Sequence, residues 1–146
     1  MNTNLLTGLA AYLETNTIGS WDTATAYGAT DTAIVLGTMP QSPDRIIALS
    51  AYGVSDEPCS NHSIIGVQIR CRWGGADPRY ADDLADSIFT LLQGATHLTL
   101  GAGATAVTIV LCERNSFLPL GQDGNNRYAN SSNYYCTVYY PSTNRL

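Results

Sequence analysis

"IIGVQIRCRWGGADPRYADDLADSIFTLLQG", residues 64–94, is the stretch whose reading decides the fold. Its first ten residues alternate. Ile65, Val67, Ile69, Cys71 and Trp73 fall on one face, and Gln68, Arg70 and Arg72 on the other, which is the period of a strand. After the two glycines the period changes. Asp77 before Pro78 reads as an N-cap followed by proline at the first helical position. Tyr80, Leu84, Ile88, Leu91 and Leu92 form an apolar stripe, and Gly94 ends the helix. Burying four such aliphatic side chains contributes roughly 6–12 kcal/mol gross. Asp82, Asp83 and Asp86 lie elsewhere on the helix, and the first two favour its positive N-terminal end.

Working outward, residues 3–16 predict a helix with Leu5, Leu6, Leu9, Tyr12 and Leu13 on one stripe. "TAIVLGTM" predicts a strand. "PQSP" predicts a turn, and "DRIIALSAY" a second strand, so residues 32–52 are expected to form a wide hairpin. "HLTL" and "AVTIVLCER" predict two strands joined by "GAGAT", and "NYYCTVYY" a last one. Helix, three strands, helix, three strands is an α+β order. The expected fold is a mostly antiparallel sheet of four or more strands with two main helices on one face, in a single domain of 146 residues. Loops 20–31, 53–63 and 119–133 are expected to be flexible or to make contacts.

Composition narrows the function. Charged residues are 13% of the chain, about half the usual ~25%. Nine tyrosines accompany that deficit, and interface cores gain tyrosine and lose charge. Net charge is −5, lysine is absent, and the arginines are scattered, which argues against a nucleic-acid grip. The N-terminus lacks a basic region, and no apolar run reaches the ~18 residues of a membrane span. A soluble chain made in a reducing cytoplasm is expected, with Cys59, Cys71, Cys112 and Cys136 as free thiols.

Candidate sites for chemistry thin out on inspection. "DGNNRY" at Asp123 fails as a calcium loop, because Arg127, Tyr128 and Tyr134 stand where two ligands and a glycine are needed. "GAGATA" is followed by a β-run, so it reads as a turn and not as a dinucleotide fingerprint. Cys59 and His62 lack the further ligands of a zinc site, and no nucleophile elbow exists. No metal, cofactor or catalytic residue is expected. Arg70 and Arg72 could hold a phosphate or carboxylate, the mark of a small anion-binding domain or enzyme. They could equally pair with acids of a neighbouring subunit, and the scarcity of charge favours that pairing. Replacing both is then expected to weaken assembly and spare the fold.

Four stretches then occur in order: "MPQSPDRIIALSAYG", "GVQIRCRWGG", "ADPRYADDLADSIFTLLQG" and "ERNSFLPLGQDGNNRYANSSNYYCTVY". Together they resemble the minor capsid or tail-terminator proteins of long-tailed bacteriophages, over roughly residues 35–140. "GSWDTATAYGATD" lies outside the resemblance. The resemblance implies a virion protein of the neck, assembled in the host cytoplasm. It implies a ring, commonly a homo-hexamer, that stops the tail tube and meets a head-side connector. Genome DNA would pass through its lumen without specific binding, and no enzyme activity or cofactor is implied. A head-completion or stopper protein of the connector is the alternative. Within this reading Gln68, Arg70, Arg72, Asp123, Arg127 and Asn133 are the candidate subunit-interface residues. Asp123 and Arg127 could lock their loop by an ion pair, and that loop either touches a neighbour or satisfies itself.

Overall fold

The structure, a computed structural model, describes residues 1–21 and 24–145. Its elements run α1 (Asn2–Thr15), β1 (Thr32–Leu36), β2 (Arg45–Asp56), β3 (His62–Gly74), α2 (Arg79–Leu92), β4 (Thr96–Leu100), β5 (Val107–Gln122) and β6 (Arg127–Tyr139). A 3-10 turn at Gly103–Thr105 joins β4 to β5. The six strands form one sheet in the order β1-β2-β3-β6-β5-β4. The architecture is α+β, and the sheet is mostly antiparallel.

The alternation read from β3 holds in the fold. Ile65, Val67, Ile69 and Cys71 are buried in one core with Leu5, Leu9 and Leu13 of α1 and Ala85, Ile88 and Leu92 of α2. The α1 leucines recur every four residues, so one stripe of the helix faces the sheet. Burying those three contributes roughly 5–9 kcal/mol gross. We call this side of the sheet the inner face and the side bearing Gln68 and Arg70 the outer face.

Helix α2 sits rotated from the expected stripe. Ala81, Ala85, Ile88 and Leu92 are its buried residues, whereas Tyr80 is 52% exposed. The two alanines let the helix backbone approach the sheet closely. Asn130 of β6 donates from Nδ2 to the Ala81 carbonyl at 3.0 Å, which turns that side inward. Tyr80 instead stacks on Trp73, with ring centroids 5.8 Å apart. Pro78 holds the cap position in place of the expected Asp77, and Asp77 accepts from the Arg79 N–H at 3.0 Å just before the first turn.

The expected hairpin over residues 32–52 does not form. β1 and β2 pair in parallel, Thr32 opposite Arg45 and Leu36 opposite Leu49. Residues 37–44 therefore double back along the sheet as a crossover. Parallel pairs usually need a connection of about a dozen residues or more. This shorter one is possible because side chains of the sheet seize its carbonyls, as described below.

Two of the three expected loops are largely strand. β2 runs to Asp56 and β3 starts at His62, which leaves a turn at 57–61. β5 runs to Gln122 and β6 starts at Arg127, which leaves a turn at 123–126. Polar composition misled here, because both hairpins carry polar residues, such as Ser55 and Ser63 in one and Asn130 and Asn133 in the other, at positions that pair across strands. Residues 20–31 fall partly outside the described residues. Within them Ser20 bridges Ala33 of β1 in parallel.

Candidate functional site

The six residues singled out from the sequence share one side of the molecule. Gln68 lies opposite Asn133, Arg70 opposite Ser131, Arg72 opposite Ala129 and Gly74 opposite Arg127 in the β3–β6 ladder. All these β3 positions are even-numbered, so they share the outer face. Asp123 joins them through the turn before β6.

One end of that face is a network that holds the crossover. Arg72 is 5% exposed and donates to the carbonyls of Pro40 (2.8 Å), Pro43 (2.8 Å) and Asp44 (3.0 Å). Arg127 donates to the Gln41 carbonyl at 2.6 Å and pairs with Asp123 at 2.9 Å. Arg70 donates to the Gly37 carbonyl at 2.8 Å. Burial, and then the neighbouring Arg127, lower the Arg72 guanidinium from its usual range. Partial burial would raise the Asp123 carboxyl, but the N–H groups of Asn125 and Arg127 and the Arg127 guanidinium outweigh it and hold the group low. Asp44 reaches this cluster by lying over Gly74, where a Cβ would stand 2.7 Å from its carboxylate. Ile46, Ala48 and Ala33 are buried nearby under Tyr27 and Met39.

Arg72, Arg127 and Asp123 thus bind within the chain. Replacing Arg70 and Arg72 is expected from the sequence to spare the fold; these bonds argue that loss of Arg72 would disturb the path of residues 37–44. The ion pair expected between Asp123 and Arg127 is present, and it closes the β5–β6 turn.

The other end of the outer face is open. Tyr52, Tyr139 and Leu111 are 41%, 47% and 38% exposed there. Tyr52 lies flat over Gly66, where a Cβ would stand 2.2 Å from the ring. Its hydroxyl donates to Asn133 Oδ1 at 3.3 Å, and Asn133 Nδ2 donates to Ser116 Oγ at 3.1 Å. Gln68 lies beside them, 3.5 Å from Ser50 Oγ. Burial, and then Tyr135, raise the Tyr52 hydroxyl. Among the described residues in strand register on this half, Glu113 is the one carboxylate. Aromatic rings, carboxamides and little charge are the composition of an interface core. The aromatic content was legible in the sequence, but its convergence on one half-face was not, since it depends on the β3–β6 register.

The chain also contains no group of three or more His, Cys, Asp or Glu residues placed to hold a metal ion, among the described residues. Among the described residues no helix is long and apolar enough to cross a membrane.

The chain is thus α+β, with a mostly antiparallel sheet whose open half-face carries little charge. Over residues 12–140 the sequence matches the family described as bacteriophage tail terminator protein, and the chain belongs to that family. The family is a class of structural phage tail protein and not a class of enzyme. The fold is similar to a chain of the virion of a native gene transfer agent particle, with a TM-score of 0.59 at 16% identity. The likeness covers 90% of this chain and 92% of that one. No curated protein matches the chain in sequence.

Proposed function

We propose that this protein ends the tail tube as a ring of identical subunits, commonly six, at the head-proximal end of the tail. The family match carries this reading. The ring buries the last tube interface and presents a different face to the head-side connector. Both helices lie on the inner face, which leaves the open half of the outer face for contact with the next subunit. Gln68 and Asn133 can reach a neighbour there, and Arg70 stands at its border with the crossover. Arg72, Arg127 and Asp123 contribute indirectly by shaping the crossover beside them. Genome DNA passes through the lumen, and an acidic, lysine-free ring offers it few phosphate contacts.

Electron microscopy of lysates from a phage with this gene interrupted tests the reading. Over-long tubes without heads are the expected result, because polymerisation has lost its stop. Tails of normal length beside separate heads would make the protein a head-completion or stopper protein instead. Normal infectious particles would overturn both roles.

A further inference from the structure

A ring contact needs two different surfaces on each subunit, because head-to-tail closure joins unlike patches. The outer face supplies one. A second feature lies on the far flank of α2, where Trp73, Tyr80, Leu84 and Ser87 line a shallow hollow of about 210 Å³ with Asp83 at its rim. Tyr80 is 52% exposed there although it stacks on Trp73, and Arg45 backs the stack from 4.2 Å. The hollow has room for an aliphatic side chain.

The chain carries a matching knob. β4 pairs with β5 only as far as Leu111, so the outer edge of β5 beyond it has no strand partner among the described residues. On that edge stand Leu118 and Leu120, 58% and 50% exposed. Pro119 and the register shifts at 114/116 and 119/121 spoil the edge for strand addition, so it offers side chains and not a backbone ladder. Leu118 lies opposite Ser131, on the outer face, so the knob is continuous with the half-face assigned to the ring contact.

Charge is complementary in the same arrangement. Arg70 on the outer face has no carboxylate within ion-pair distance among the described residues, and its Nε is buried without a partner. Asp83 and Asp86 on exposed α2 positions are likewise outside any ion pair among the described residues. β6 separates β3, which carries Trp73, from β5, which carries the leucines, so the two features stand on different flanks.

From this geometry we infer that a second copy of this chain seats Leu118 and Leu120 in the Trp73–Tyr80–Leu84 hollow, with the outer-face arginine turned toward the α2 aspartates. The inference rests on the ring reading and names the reciprocal half of that contact.

The test uses assembled tails from phage carrying Ser87→Cys with Leu118→Cys in a Cys59→Ser background. Both positions are exposed, so the fold tolerates them. A short bismaleimide should give a covalent ladder from the double variant and none from either single one. In a separate phage with the parental cysteines, Leu118→Asp with Leu120→Asp should lower incorporation of the chain into tails roughly 30-fold, the effect of losing a buried anchor. Tails that hold several copies of the chain, yet give no ladder and keep the Asp variant at parental levels, overturn the knob and hollow while leaving the ring. Tails that hold one copy or none overturn the ring and this contact with it.

Discussion

Replacing Arg72 with alanine is expected to unseat the crossover between β1 and β2. Three bonds of 2.8, 2.8 and 3.0 Å run from its guanidinium to carbonyls of residues 40–44. A hydrogen bond from a charged donor contributes about 1.5–3 kcal/mol. Water can reach Pro40 and Asp44 once the side chain is gone, because both residues are exposed, but Pro43 is buried and its carbonyl is left without a donor. Discounting for the two exposed acceptors leaves a loss of about 1.5–3 kcal/mol, against the ~5–15 kcal/mol that holds a typical domain. The melting temperature should fall by about 5–10 °C for a chain of this size. Urea unfolding followed by tryptophan fluorescence measures the loss. Hydrogen exchange at Ile34 and Val35 places it, since β1 should open before the β3–β6 ladder. Arg72→Lys keeps the charge but not the planar fork, and should recover less than half the loss. A change under about 1 kcal/mol in Arg72→Ala would refute the argument that this side chain sets the parallel pairing.

Gly66→Ala should cost about 1–3 kcal/mol by pushing Tyr52 off the sheet, and Tyr52→Ala in the same chain should restore most of it; denaturant midpoints of the two single variants and the double variant decide whether that coupling exists. The Asp77 carboxyl is held at about 2 by the Arg79 side chain, and Asp123 is also held low. A carboxyl depressed in the folded state takes up its proton more readily once unfolded. Their stabilisation is therefore complete above about pH 4 and fades as pH falls toward 2. Asp123→Asn should flatten the stability profile in that window, and an unchanged slope would remove Asp123 from the account. Thiol titration of the native chain should find Cys59 reactive and the other three slow. Cys71, Cys112 and Cys136 are buried, and burial pushes the Cys71 thiol up to about 12. Rapid reaction at any of those three would show that the core opens.

Most of the core was legible because it follows period. The β3 alternation and the α1 leucines could be placed from spacing alone, since a strand and a helix each repeat on a fixed face. The α2 stripe was misread by one side because Tyr80 counts as apolar in a pattern but stacks at the surface on Trp73. Ala81 and Ala85, weak in hydrophobicity, form the buried line. The parallel β1–β2 pair was not legible, because a short Pro-rich connection reads as a turn. What changes its meaning is Arg72, far along the chain and on another strand. The outer face was half legible: the alternation grouped Gln68, Arg70 and Arg72, and β6 brought Asn133 beside them. Sequence spacing could not tell which arginines turn inward. That depends on where residues 37–44 lie.

The absence of lysine takes on a physical sense once each arginine is placed. Arg70, Arg72, Arg127 and Arg145 donate to backbone carbonyls, Arg45 and Arg114 lie over Trp73 and Phe89 at 4.2 Å, and Arg79 pairs with Asp77. Arg145 alone accounts for the carbonyls of Glu57, Ser60, His62 and Tyr140, which ties the C-terminal turn to the turn at 57–61. Planar forks and flat stacking are what a guanidinium does and an ammonium does poorly. Each of the seven arginines therefore has at least one partner within its own chain, and the flexible, strongly hydrated cation that would roam a surface is missing. A ring built from such subunits, on the reading proposed above, presents a lumen that holds phosphates weakly, because each mobile cation left out is one counterion-releasing contact fewer. The same economy of charge leaves the open half-face apolar enough to be covered by a neighbour. On that same reading, one compositional choice serves both a tight contact between subunits and an unobstructed passage between them.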